Sequence, residues 1–555
     1  MTVYWVVWDA AAHWIVDRLV AEERLPGVAR LRDAGIRAAA RPPAPNCQTP
    51  PALATLFTGE WPGTHHVTGF MMPTPAGAAD AAMSGFTPGV CAAPPVWEHA
   101  AAAGLRTVSV HAPWVFDRDH RVLGGVDAAI DGYGRQLAMS GARRVSGAGT
   151  LEIGSFTVGF TPDDDGIQIG CCGARMHIEP AQGWRELRLG RGIGLWLRAA
   201  LIRGQLVLLH TGAWHVRVGG HDTALVDELD RMPVFVGQGL GSLYRAGRLG
   251  PRLIDGGNGS AEELFLSSLD CVHVGFRAAT ESVLARQRAD LVVIYLPITD
   301  DVSHELIGWC DKESACYRAD LADAAWRGVT RCYEAADALL ARVLDQAEPE
   351  DTVVLSADHG IAGAAWQVLP NAALASAGLV SCTGQRIDLA GSAVMYHPAN
   401  NGAVTVNHTG RPGGWVPPER ISEVMRQAEE ALRAIVEPGT GRPAVVDFRR
   451  EDAAAGLATV VFAADFQPSA AFPADGRAVS PARRTGVHVS NTGDPRLHAV
   501  LVAAGPGLEP CVDVGTVDNT LPARLVLRQL GLSSPSADSE RGALPGSAAA
   551  TRLGE

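Results

Sequence analysis

The stretch LVVIYLPITDDVSH (Leu291–His304) decides the fold class. An unbroken apolar run reaches Leu296, a proline follows, and then come two carboxylates. Strands that are apolar along their whole length suit a parallel sheet covered on both faces. The same pattern recurs elsewhere. VYWVVW stops at Asp9, TVVLSA stops at Asp358–His359, and HAVLVAAGPG (His498–Gly507) ends in a glycine turn. RTVSVHAPW and GQLVLLHTGAW read alike. Helical stretches lie between: Asp17–Gly35, closed by Gly35, and the long apolar-spaced run Asp320–Gln346. Alternating strand and helix predicts an α/β fold, doubly wound, with a mostly parallel central sheet and helices on both faces. Ligands of such sheets gather at the carboxyl ends of strands. Asp9, Asp300, Asp358 and His359 fall there.

Uniformly apolar runs are sparse from Val126 to Ala289 and again from Ala362 to Arg484. Both segments are expected to be insertions or cap elements. The division that follows is 1–125, core with the candidate nucleophile; 126–289, insertion; 290–361, core with metal ligands; 362–484, second insertion; 485–533, core with the last histidine; and 534–555, a small, polar, disordered tail.

The formal charge is −13, which argues against a non-specific nucleic-acid partner. The start, MTVYWVVWDA, lacks a basic leader and reads as a buried strand, and no run is long and apolar enough for a membrane span. Ten cysteines without a C-x-x-C pair point to a reduced, cytoplasmic setting. No oligomeric state is legible.

NCQTPPALATLFTG (Asn46–Gly59) sets a hydroxyl before two prolines and a helical run. Proline suits the first helical position and threonine the cap before it. Thr49 is therefore expected at a helix N-terminus, where the dipole favours negative charge. Standing alone, TPP marks a capped helix and no more.

Asp300 and His304 stand four apart in TDDVSH, Asp358 and His359 are adjacent in SADHG, and His488 lies in TGVHVSNTGD. All are expected at strand ends or in loops. Mixed imidazole and carboxylate donors suit zinc, and also manganese or iron. Asp301, beside Asp300, competes for the same role. His65 and His66 read as structural histidines, and His397 and His408 as surface ones, with the lining of a substrate pocket as their alternative.

Taken in order, VVWDA, LPGVARLRDAGI, NCQTPPALATLFTGEWPGTHHVTGF, IYLPITDDVSHELIG, VVLSADHG, TGVHVSNTGDPRLHAVLVAAGPG and VGTVDNTLPARLVLRQLGL resemble the type I phosphodiesterase/nucleotide pyrophosphatase branch of the alkaline phosphatase superfamily, over residues 6 to 532. The resemblance implies two divalent cations, zinc first. Asp9, Thr49, Asp358 and His359 would hold one; Asp300, His304 and His488 would hold the other. It implies that Thr49 is the nucleophile and forms a covalent phosphothreonine. It also implies a small phosphoester or phosphonate as substrate. The branch's phosphoryl-binding asparagine falls by count at Phe70, with Asn46 as a substitute donor. Phosphonoacetate-hydrolase-like and phosphomonoesterase activities are the neighbouring readings, and a mutase is a further one. Cys47 lacks the C-x-P-x-R setting of a sulfatase. A non-catalytic, metal-dependent binder of an anion is the reading from another class.

Overall fold

The computed structural model describes residues 1–533 apart from 75–76, 118, 120, 124, 221–223, 287–288, 453–454, 474 and 490–491. The expected tail, 534–555, lies outside the described residues. The elements that frame the site are β1 (Val3–Trp8), α1 (His13–Ala21), α2 (Pro26–Asp33), β2 (Ile36–Arg41), α3 (Thr49–Thr58), β3 (Thr107–Val110), β4 (Val126–Ala138), α4 (Ser260–Arg286), β5 (Leu291–Leu296), α5 (Ile298–Cys310), α6 (Ala322–Gln346), β6 (Thr352–Ser356), β7 (Ala499–Ala504), β8 (Val512–Asp518) and α7 (Leu521–Gln529).

The strands stand side by side in the order β8-β2-β7-β6-β1-β5-β3-β4 within one 13-stranded sheet. From β6 to β4 every pairing is parallel. β7 is inserted antiparallel between β6 and β2, while β8 runs parallel to β2. Every residue of β1, β5 and β6 is buried, as strands with helices on both faces must be. Trp5 holds two of these strands together through its Nε1–H, which donates to Ser356 Oγ at 2.8 Å, and its ring meets Phe57 of α3 edge-on.

Three expectations need correction. The sheet is parallel only through its middle. A uniformly apolar strand reports burial on two faces and not direction, so β7 read like its neighbours. Residues 126–220 are not poor in strands: β4 joins the central sheet as the parallel partner of β3, and the sheet continues antiparallel through Ala213–Gly220, Ile193–Ile202, Gln205–His210 and Gly141–Arg144. A separate four-stranded sheet covers residues 149–178. These strands alternate buried and exposed residues, as in IQIGC and RELRLG, so a search for unbroken apolar runs passes over them. α4, also in the expected insertion, packs into the main core through Phe265, Leu269 and Phe276.

The expected helix over Asp17–Gly35 is two helices, broken before Pro26. Gly35 does not close it with a left-handed turn. It is glycine because a Cβ there would stand 2.0 Å from Ala503 O, so β7 can pass directly over the chain entering β2. The start of α2 is tied to α6 by Asp337, which accepts the N–H of Gly27 at 2.8 Å and of Val28 at 2.7 Å.

The second expected insertion builds its own core. Val394–Tyr396, Ala403–Val406, Leu457–Phe462 and Val445–Asp452 form a four-stranded sheet, against which helix Ile421–Arg433 packs. Among the described residues no helix is long and apolar enough to cross a membrane.

Candidate active site

Parallel pairing in register brings three strand ends together. Trp8 lies opposite Leu296 and Val7 opposite Ser356, so Asp9, the Pro297–Asp300 turn and Asp358 emerge on one edge. Asp300 and His304 are not in a loop but on α5, in its first turn and one turn later. Residues four apart share a helix face, so both reach the same point.

Two clusters result. In the first, His359 Nε2 lies 3.4 Å from Asp9 Oδ1 and 3.2 Å from Asp358 Oδ2, and all three residues are buried. In the second, Asp300 Oδ1 lies 3.3 Å from His304 Nε2 and 3.6 Å from His488 Nε2, and the two Nε2 atoms are 3.2 Å apart. The His359 and His488 rings stack at 3.8 Å between centroids, 11° from parallel, and so join the clusters.

Each imidazole is oriented by its other nitrogen. Nδ1 faces a backbone carbonyl in all three: Gly486 O for His304 at 2.8 Å, Gly360 O for His359 at 2.9 Å, and Cys47 O for His488 at 3.2 Å. A carbonyl only accepts, so Nδ1 carries the hydrogen and every Nε2 turns a lone pair into the site. Burial, the dominant influence, holds His304 and His488 well below the usual imidazole range and His359 at about 3. All three are neutral at pH 7.

The carboxylates are pushed the other way. Burial raises Asp9, with Asp358 beside it adding repulsion; burial raises Asp300, with Asp9 and Asp301 adding to it; and burial lifts Asp358 to about 8. Arg484 offsets part of this for Asp300, and so many buried carboxylates together still resist ionising. Asp9 Oδ1, Asp358 Oδ2, His359 Nε2 and Asp300 Oδ1 are buried without a hydrogen-bond partner. They are the same atoms that converge in the clusters. Buried polar atoms are rarely left unpaired, and here the donor set is the one divalent cations take. The residues of both clusters therefore fit divalent cations.

Neighbours fix the ligands. Tyr295 OH donates to Asp9 Oδ2, Thr299 Oγ1 donates to Asp9 O at 2.5 Å, and Ala10 N donates to Asp358 Oδ1 at 3.2 Å. Gly486 lets its strand lie on α5, since a Cβ there would meet Ser303 O at 2.3 Å. Asp301 turns away from the cluster and accepts Gly239 N–H at 3.2 Å, burial lifting it to about 6.

Thr49 is the first residue of α3, not its cap; Gln48 precedes it and makes no side-chain cap bond. Thr49 is half-buried, and among the described residues its hydroxyl has no hydrogen-bond partner. Pro50 and Pro51 have no N–H, so the first turn of α3 offers little beyond the N–H of Thr49 itself as an anion donor. Cys47, two residues before Thr49, is clipped to the second cluster. Cys47 Sγ donates to His488 O at 2.6 Å, while His488 Nδ1 donates to Cys47 O.

Asn46 has both amide hydrogens engaged, with Gln48 Oε1 at 3.2 Å and Thr68 O at 2.9 Å, and its Oδ1 accepts Gln48 N–H. It clamps the loop before Thr49 and has no N–H free for a substrate. Phe70 gives its N–H to Gln48 Oε1 and leaves its ring half exposed, edge-on to Phe86. His397 is buried, contrary to a surface role, in the loop whose Asn400 O accepts from Gln48 Nε2. His65 is buried under α3, bonded to Thr55 Oγ1 at 3.0 Å, and His66 is exposed.

Sequence reasoning missed Tyr295 and Arg484. Tyr295 carries the one hydroxyl in an otherwise apolar strand and could have been noticed. Arg484 Nη1 stands 3.4 Å from His304 Nε2, and nothing in an arginine-rich sequence singles it out.

The family model of type I phosphodiesterase/nucleotide pyrophosphatase matches residues 6–139 and 256–488, and these segments carry both clusters and Thr49. The chain belongs to this family. The match omits 140–255, where most of the antiparallel extension lies. The fold is similar to that of an inactive variant of murine ectonucleotide pyrophosphatase/phosphodiesterase 5 in complex with AMP, at 10% identity over 98% of this chain and 97% of that one, with a TM-score of 0.50. The murine protein without that description (98% and 98%, TM-score 0.49) and the human one (98% and 97%, 0.48) are each 10% identical as well. Comparison with curated proteins gives no match. The chain is thus an alkaline-phosphatase-like α/β protein of a phosphodiesterase and pyrophosphatase family, and hydrolysis of phosphoesters is its class of activity. Enzymes of this family are metal-dependent.

Proposed function

We propose that the protein is a two-cation phosphoric ester hydrolase of the phosphodiesterase/nucleotide-pyrophosphatase type, acting through a covalent phosphothreonine at Thr49. The observation that carries this reading is the coincidence of unpaired buried ligand atoms with the two clusters. Asp9, Asp358 and His359, with the Thr49 hydroxyl, hold one ion; Asp300, His304 and His488 hold the other. Zinc suits the donors best, manganese or iron next. Two such ions, when bound, neutralise charge on the phosphoryl group and lower the pKa of a nearby hydroxyl.

The chain's own groups do the rest. Thr49 Oγ attacks phosphorus, an Oγ–P bond forms, and the ester P–O bond breaks with release of the alcohol or phosphate. Water then cleaves the Oγ–P bond and restores the hydroxyl. Asn46 and Gln48 set the loop that aims Thr49, and the Cys47–His488 clip keeps nucleophile and second cluster in step. The exposed Phe70 ring is placed to lie against an organic substituent. The substrate is a small phosphoester or phosphonate, and the AMP complex of the murine neighbour favours a nucleotide.

Thr49→Ala tests the covalent route. Turnover should fall by about 1,000-fold or more, because the variant lacks the nucleophile, while bound metal falls far less, since Asp9, Asp358 and His359 remain. Thr49→Ser should recover a measurable part. Near-normal hydrolysis by Thr49→Ala would rule the phosphothreonine out.

A further inference from the structure

Arg484 is the charged group near the clusters that the proposed chemistry leaves unused. Its guanidinium is half-buried and faces the Nε2 of His304. Among the described residues no carboxylate lies within ion-pair distance of it. The other arginine nearby, Arg245, is paired with Glu305. Asp301, the closest alternative partner by position, is bonded to Gly239 N–H. Asp300, Asp301 and Glu305 feel its charge and are held lower by it, but none of them bonds it, so its N–H groups are left with the imidazole alone. Its present neighbour is an imidazole lone pair that the second cluster needs for its cation. Once that lone pair is taken, the N–H groups of Arg484 have no acceptor among the described residues and remain at the rim of the cluster.

We propose that Arg484 is a specificity residue that binds a second anionic charge on the substrate, beyond the single charge of a simple diester. This rests on the phosphoester-hydrolase reading and narrows it. The shared chemistry is a phosphoryl substrate that carries more than one negative charge. The extra charge sits either on the scissile phosphoryl group, as in a monoester, or on a flanking phosphoryl group, as in a nucleoside triphosphate. A planar guanidinium suits two phosphoryl oxygens at once, and a lysine does not.

The test compares wild type, Arg484→Ala and Arg484→Lys at pH 8, where a monoester carries its second charge. Hydrolysis is measured on bis(4-nitrophenyl) phosphate, 4-nitrophenyl phosphate and ATP. Orthophosphate binding is measured by calorimetry on the metal-loaded proteins, and metal content on all three. Arg484→Ala should lose about 100-fold in kcat/KM on whichever of 4-nitrophenyl phosphate and ATP wild type prefers, and no more than about 3-fold on the diester. Orthophosphate should bind at least about 10-fold more weakly, with metal content unchanged. Arg484→Lys should fall between. The better of those two substrates tells where the additional charge lies. Equal losses on all three substrates, unchanged orthophosphate binding, or loss of metal in Arg484→Ala would overturn the proposal and leave Arg484 a mere counter-charge for Asp300 and Asp301. Absence of hydrolysis by wild type would defeat the hydrolase reading instead, and orthophosphate binding would still decide the role of Arg484.

Discussion

Stripping divalent cations from the protein should lower its melting temperature by a calculable amount. Each cluster presents buried, unpaired ligand atoms, so each cation binds the folded chain and not the unfolded one. At a free cation concentration 100 times its Kd, one site adds about 2.7 kcal/mol, and two add about 5 kcal/mol. Unfolding entropy near 60 °C is about 2.1 cal/mol/K per residue, which for 555 residues gives about 1.2 kcal/mol/K. The expected difference between chelated and zinc-loaded protein is therefore about 4 °C. Scanning calorimetry with chelator, then with zinc or manganese restored, reads it directly. Asp300→Ala removes the carboxylate of one cluster and Asp358→Ala that of the other. Each should halve the difference, measured within the same variant so that its own destabilisation cancels. A melting temperature indifferent to cations, or a full difference surviving in both variants, would refute the assignment of the clusters as cation sites.

Other outcomes follow from local geometry. Gly35→Ala should cost about 3 kcal/mol or more in urea denaturation, because its Cβ would meet a backbone oxygen of β7 that cannot yield; a cost under about 1 kcal/mol would mean the strands can part. His65, buried against Thr55 and accepting Val67 N–H on Nδ1, is held down to about 4 by burial. The unfolded chain takes up that proton near pH 6.5, so stability is full above that value and falls as the pH drops towards 4, by at most about 3 kcal/mol. His65→Gln should flatten the slope of stability against pH across that window, and an unchanged slope would assign it to other groups.

Much of the site is written in short, readable signals. Asp9, Asp300 and Asp358 each follow a strand apolar along its whole length, and parallel register does the rest. Asp300 and His304 read as strand-end or loop residues because they follow an apolar strand so closely, yet their four-residue spacing was already that of one helix face. Thr49 was displaced from its expected position by one residue, since a threonine before proline serves equally as cap or as first helical residue. The antiparallel extension escaped because half-exposed strands carry glycine and arginine on their open face. Arg484 escaped for a different reason: its meaning lies in lacking a partner, which only the folded arrangement of α5 and Thr485–His488 reveals.

The second cluster takes two of its ligands from α5 and the third from His488, more than 180 residues later. During synthesis the first cluster is complete once residue 359 has left the ribosome. The second must wait for nearly the whole chain. A prematurely terminated product ending before Gly486 would therefore keep Asp9, Asp358 and His359 but lack both His488 and the hook that holds Cys47, leaving the second cluster open.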